Sequence, residues 1–200
     1  MGRKLAAAVL GGLAFFLWSF VAHDLLPLGK TGIKVIPNEQ VVLDSMKANM
    51  PEDGLYLLPG LGVPENATRA QQAAAMEARM HKVETGPSGL LVYHPSLHFS
   101  FGKALMTELA TNILQVLLAV ILLGQTTLTS FAARWRFIAV AGVLAAISTN
   151  ISYWNWYGFP GNYTLAYICT VAMGFVVAGL VAAAIVKPSQ PVIQTKTAGA

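Results

Sequence analysis

Polar side chains recur at helical spacing within apolar sequence, and one of them is acidic. The positions i, i+3, i+4 and i+7 fall on one face of a helix and are occupied by Glu108, Thr111, Asn112 and Gln115. Asn150 lies in a later apolar stretch, and we call these five residues the polar stripe. Polar residues inside a membrane-spanning helix are costly and often functional, so the stripe is a candidate ion- or proton-handling site. The alternative is that Asn, Thr and Gln hydrogen-bond between packed helices.

A second group of chemically capable residues flanks the apolar stretches. We call it the interfacial cluster, and its members are His23, Asp24, His94, His98, Trp154, Trp156 and Tyr157. Imidazole and carboxylate groups are suitable transition-metal ligands, which makes His23, His94 and His98 candidate ligands. Pro95 separates the last two histidines, so they do not share a helical face as the histidines of HExxH do. The aromatic members are alternatively an interfacial belt, and no cofactor is predicted.

Catalytic motifs with a recognised mechanism are missing from the sequence. It contains neither GxxxxGK[ST] nor GxSxG. Its one cysteine, Cys169, excludes a disulfide or a CxxC redox site within one chain. These observations favour a protein that is not an enzyme, with a metal- or quinone-dependent membrane enzyme built on the histidines as a further alternative.

The composition indicates which elements position these residues. The 200 residues are 55% hydrophobic and 11% charged, and the mean hydropathy is +0.57. Soluble domains carry about 25% charged residues, so a membrane protein is expected. The net charge of +4 does not indicate nucleic-acid binding, because no basic stripe lies on a soluble face.

Three long stretches carry no charge at all, and a membrane span needs about 20 apolar residues. They are 5–22, 109–133 and 137–186, the last interrupted by the aromatic, Gly- and Pro-containing segment 154–162. Gly and Pro mark a turn there. The pattern predicts a mainly α fold, a four-helix transmembrane bundle with helices near 5–26, 104–124, 136–155 and 163–186. The first is expected to be an uncleaved anchor, because Phe20-Val21-Ala22 is a poor cleavage site.

Basic residues set the expected orientation. One set of helix ends carries only bases, namely Arg3, Lys4, Arg134, Arg136, Lys187 and Lys196, whereas 24–103 holds seven bases and eight acids. Both termini are therefore expected in the cytoplasm. The expected organisation is a cytoplasmic N-terminus with helix 1 (1–26), an extracytoplasmic segment (27–103), helices 2–4 (104–186) and a disordered cytoplasmic tail (187–200).

The segment 27–103 is predicted to be a small α/β insertion between helices 1 and 2. A helix starts near Asn38 and a strand follows at 55–58; a second helix, capped by Asn66 or Thr68, runs to about 84, before a strand at 90–93. Two apolar helix faces are expected, formed by Val42, Leu43, Met46 and Met50 and by Ala73, Met76, Met80 and Val83. These methionines either fill a small core or form an adaptable contact surface.

Three stretches resemble an uncharacterised bacterial inner-membrane protein family with four predicted spans. They are Trp18–His23 with Leu26-Pro27, Gly89–Pro95 and Asn150–Pro160. The resemblance implies a bacterial inner membrane and a periplasmic 27–103, and it brings no activity or site residue.

The function expected from the residues is a non-catalytic accessory or scaffold subunit. The two helix–strand units of the outer segment, residues 37–95, have roughly 60 residues and can bury only a small core, so they are expected to contact a partner or a second copy. The expected partners are the lipid bilayer and a homo-oligomer or other membrane proteins, and no nucleic acid. The alternative is a small oligomeric transporter or ion-coupled protein that uses the polar stripe, with Glu108 as its acidic group.

Overall fold

The computed structural model describes residues 1–186, and four of its helices are long and apolar enough to cross a membrane. Those candidate spans are Gly2–Leu25, Phe101–Leu123, Phe131–Tyr157 and Gly161–Ile185. The predicted mainly helical fold with four candidate spans is confirmed. The tail predicted for 187–200 lies outside the described residues.

Six α-helices and one two-stranded sheet make up the regular structure of the described chain. In order they are α1 (Gly2–Phe20), α2 (Glu39–Asn49), β1 (Gly54–Leu58), α3 (Arg69–Thr85), β2 (Gly89–Tyr93), α4 (Phe101–Leu123), α5 (Phe131–Tyr157) and α6 (Gly161–Ile185). A π-helical turn, Val21–Leu25, extends α1, and a short 3-10 turn covers Leu28–Lys30. The predicted strands and helices of the 27–103 segment are therefore present within one or two residues of their expected bounds.

The chain divides into two compact units. The helical unit comprises Met1–Ile33, Ser100–Asn155 and the described chain from Phe159 onwards. The α/β unit comprises Lys34–Phe99 with Trp156–Gly158. The hydrophobic core of buried side chains belongs to the helical unit.

Glycines allow the helices of the helical unit to approach closely. α1 packs along both α4 and α6. A Cβ atom placed on Gly12 of α1 would lie 2.5 Å from the Ile113 Cα atom of α4, and one on Gly174 of α6 would strike the Phe15 ring. These contacts explain why glycine is found at both crossings, since small residues let membrane helices meet at their backbones.

A stripe of small residues forms the buried face of α6. Five residues at intervals of four are buried on this face, namely Ala166, Thr170, Gly174, Ala178 and Ala182. Phe175, beside the stripe, meets the Phe15 ring edge-on at 5.2 Å between centroids. On α5, Gly142 and Ala146 are also buried, four residues apart.

The α/β unit is organised around an antiparallel pair of strands. Leu55 pairs with Val92, and Leu57 pairs with Leu90. Thr68 begins α3 with a capping box, since its hydroxyl accepts from the Gln71 backbone N–H while the Gln71 side chain accepts from the Thr68 backbone N–H. Of the two caps expected for this helix, the structure uses Thr68.

Candidate functional site

The polar stripe does not face a single environment. Glu108 and Thr111 are exposed, Gln115 is half-buried and Asn112 is only 2% exposed. The stripe therefore straddles the margin of the α4 packing face. Its acidic member faces away from the other helices, while its amides turn toward them.

The two amides leave polar atoms buried without partners. Within the described part of the chain, Asn112 Nδ2 and Gln115 Oε1 have no hydrogen-bond partner. One is a donor and the other an acceptor, one helical turn apart on α4. A buried unpaired polar atom costs about 1–3 kcal/mol, so this part of the stripe does not stabilise the helical unit.

Asn150, the stripe residue on α5, satisfies its amide within its own helix. Its Nδ2 donates to the Ala146 carbonyl at 2.8 Å. This bond lies within α5, whereas the packing interpretation expected a bond between helices. An ion-handling role for the stripe stays a prediction.

His23 is held in place at the end of α1 within a group of aromatic rings. Its Nδ1 lies 2.9 Å from the Ser19 carbonyl oxygen, and its ring meets Tyr167 edge-on at 6.3 Å. Tyr167 continues to Tyr163 at 4.9 Å and to Phe159 at a further 5.6 Å. The ring contacts fix the orientation of His23 and join the ends of α1 and α6.

Sequence reasoning missed Tyr167 in this aromatic group. Tyr163 and Tyr167 lie four residues apart on α6, so they share a helical face. That spacing is a usable signal, because His23 was already expected at the same end of the helices. Tyr and Trp rings at helix ends are typical of a membrane interface.

The remaining members of the interfacial cluster are exposed. These are Asp24, His94, His98, Trp154, Trp156 and Tyr157. His94 borders a shallow depression of the α/β unit together with Pro51, Glu52 and Asp53. Among residues 1–186, no three His, Cys, Asp or Glu side chains are grouped in a way that could hold a metal ion, and a metal-binding role for His23, His94 and His98 stays a prediction.

Basic side chains occupy the C-terminal ends of two helices in the helical unit. Arg134 is buried, and its guanidinium donates to the Thr129 carbonyl and, at 3.0 Å, to the Ala183 carbonyl in the last turn of α6. Lys4 lies beside Gly124, directly after α4. Positive charge at a helix C-terminus is favourable, a role that the charge count alone did not reveal.

The surface of the α/β unit is its most unusual property. No residue from Lys34 to Phe99 is buried, and many large apolar side chains are exposed, among them Val35, Val41, Leu55, Met76, Met80 and Val92. On α2, Val42 and Met46 are half-buried and border a cleft of about 310 Å³ with Ile36. The unit therefore has apolar surface but lacks a core.

The apolar face expected on α3 packs only at Val83. Met76 and Met80 are exposed, whereas Ala75, Arg79 and Val83 are half-buried. Arg79 Nε donates to the Pro59 carbonyl at 2.9 Å, which turns that side of the helix toward the end of β1. The core-filling interpretation of these two methionines is wrong, and their adaptable side chains remain available for contacts.

Comparisons with protein-family models, with curated proteins and with solved structures found no match to this chain. The resemblance to a four-span inner-membrane family therefore stays a prediction. The function has to be argued from the surfaces of the two units.

Proposed function

We propose that this chain is a multi-pass protein of a bacterial inner membrane that acts as a non-catalytic accessory or scaffold subunit. Its α/β unit lies in the periplasm and contacts a partner protein or a second copy. The observation that carries the proposal is the coreless α/β unit, whose apolar side chains lie on its surface.

Folding energetics connect that observation to binding. Burial of apolar surface is the main favourable term in folding, and a two-stranded sheet without further packing is marginal in water. A unit that leaves residues such as Leu55 and Val92 about two-thirds exposed, at 65% and 67%, has apolar surface still to be covered. Contact with another protein covers this surface and thereby stabilises the unit.

The orientation draws support from the basic helix ends. Arg134 and Lys4 accompany the C-terminal ends of α6 and α4, and the bases of this end are those expected on the cytoplasmic side. The opposite end of α6 carries the aromatic group around Tyr163, as expected at an interface. In this orientation the α/β unit is on the periplasmic side.

Cross-linking of the full-length protein in its native membrane tests the proposal. A lysine-reactive cross-linker is suitable because Lys34, Lys47 and Lys82 are exposed on the α/β unit. We expect a species larger than the monomer, with cross-linked peptides from 34–99. A protein that stays monomeric in the membrane and gives no cross-link to any partner contradicts the proposal.

A further inference from the structure

One face of the two-stranded sheet is apolar and open. Side chains alternate along a strand, so the pairs Leu55–Val92 and Leu57–Leu90 project on one side. Three of these four side chains are exposed and Leu90 is half-buried. We call this surface the sheet face.

The opposite face of the sheet is better covered. Tyr56, Leu91 and Tyr93 are half-buried there. The two tyrosine rings meet edge-on at 6.2 Å, and the Tyr56 hydroxyl donates to the Glu52 carbonyl. Leu58, at the end of β1, is exposed on this side too, so most but not all of the open apolar surface lies on the sheet face.

The edges of the sheet carry none of the usual protection. Neither Gly54–Leu58 nor Gly89–Tyr93 contains a charged residue or a proline. Each strand of a two-stranded sheet is an edge strand, and native proteins normally place Lys, Pro or a bulge on exposed edges. An unprotected edge next to an apolar face is suited to packing against another strand-bearing surface.

We propose that the sheet face packs against the sheet face of a second copy of this chain in the same membrane. The inference rests on the proposed function and names its partner. A two-fold contact brings the same patch together from both copies, and an uncharged apolar patch meets its own copy without charge repulsion.

The size of the sheet face favours a partner anchored in the same membrane. The apolar accessible surface of a Leu or Val side chain is on the order of 100 Å². The four side chains of the sheet face are only partly exposed, so together they present roughly 200–300 Å² of apolar surface per copy. A stable soluble complex buries about 800 Å² per partner, which this face does not reach. Anchoring raises the effective concentration of the partner to about the millimolar range, where a small contact suffices.

Anchoring also places the sheet face of a second copy on the same side of the same membrane. A lipid surface is a less suitable occupant, because the exposed carboxylates of Glu52 and Asp53 directly precede β1 and would meet lipid phosphates. The second copy is therefore the occupant that charge and anchoring in the same membrane favour.

Matched lysine substitutions test the inference. Val92 and Val41 are exposed to similar extents, 67% and 72%, but only Val92 lies on the sheet face. In a Cys169→Ser background, each substitution is combined with Leu55→Cys, and membranes are treated with a short bismaleimide. We expect Leu55→Cys alone and with Val41→Lys to give a cross-linked dimer, and Val92→Lys to lower the dimer yield about tenfold, because it buries unpaired charge in the contact.

The outcomes separate this inference from the proposed function. Equal dimer yields for Val92→Lys and Val41→Lys, or no self-cross-link from Leu55→Cys, overturn the sheet-face contact. If Leu55→Cys then cross-links to a different protein, the proposed function stands with another partner. If the lysine-reactive cross-linking also recovers no partner, both fail. Thermal unfolding of each variant in detergent reports whether a lysine has damaged the fold itself.

Discussion

Buried polar side chains of the helical unit differ in whether their hydrogen bonds are made. Thr170 donates to the Ala166 carbonyl, and Arg134 donates through its terminal nitrogens to carbonyls that include Ala183, although its Nε has no partner within residues 1–186. The Asn112 Nδ2 atom has no partner within residues 1–186. Removing the Arg134 or Thr170 side chain should therefore lower the stability of the helical unit, whereas removing the Asn112 amide should raise it.

Arg134→Ala should destabilise the helical unit. It removes the guanidinium that satisfies the last turn of α6, and the loss of a charged hydrogen-bonding partner costs about 1.5–3 kcal/mol. Thermal unfolding of the purified protein measures it. Arg136→Ala is the control, because Arg136 is exposed and bonds only to Ala132 of its own helix; equal effects of the two substitutions would show that the capping contact does not matter.

Asn112→Leu should raise stability by up to about 2 kcal/mol. The substitution keeps a similar volume and removes a buried donor that has no acceptor. Thr170→Val is the comparison, because it removes a bond that is made and should lower stability by about 0.5–1.5 kcal/mol. If Asn112→Leu instead lowers the unfolding temperature in membranes, the amide has a partner, such as a buried water or another chain.

At the residue scale, spacing predicts which side chains share a face but not what that face meets. The i, i+3, i+4 and i+7 pattern placed Glu108 and Asn112 together, yet one is exposed and the other is buried. The difference depends on how α4 is rotated against α1 and α6, and non-local packing sets that rotation.

At the scale of elements, glycine residues determine where the helices cross closely. At Gly12 the backbone of α1 meets the backbone of α4, where a side chain has no room. Gly102, also in a candidate span, has no atom within 4 Å of an added Cβ. The two positions have the same residue type but opposite packing roles.

Gly12→Ala should destabilise the α1–α4 contact, since forcing a methyl group into a packed interface costs about 1–3 kcal/mol. Gly102→Ala should be neutral or stabilise the protein by up to about 1 kcal/mol, because alanine favours a helix over glycine. Unfolding temperatures of both variants in one detergent provide the comparison. Similar behaviour of the two variants would contradict the close crossing.

Elements governed by local sequence could be predicted closely, whereas packing faces could not. The Thr68 cap and the strands depend on residues near in sequence. On α3 the predicted apolar face packs only at Val83, while Met76 and Met80 are exposed. The bond from Arg79 to Pro59, 20 residues away, belongs to the half-buried side of the helix, and the spacing of apolar residues carries no signal for it.

At the scale of the whole molecule, the two units leave apolar surface exposed for different reasons. Exposed side chains of the helical unit, such as Leu118 and Val140, suit a lipid environment. Exposed side chains of the α/β unit follow from its lack of a core, and in water they need a protein contact. We therefore predict that the exposed apolar side chains of the α/β unit are covered by protein in the native membrane and uncovered in the isolated protein.

Labelling of single cysteines in intact spheroplasts tests this claim most directly. In a Cys169→Ser background, Leu55→Cys is compared with Ala48→Cys, an exposed control on α2, using a membrane-impermeant maleimide. We predict that Ala48→Cys labels readily from outside, and that Leu55→Cys labels several-fold more slowly until detergent dissociates the assembly. Equal labelling of both cysteines in spheroplasts would contradict the claim that a protein covers this surface, and no labelling of Ala48→Cys would contradict its periplasmic location.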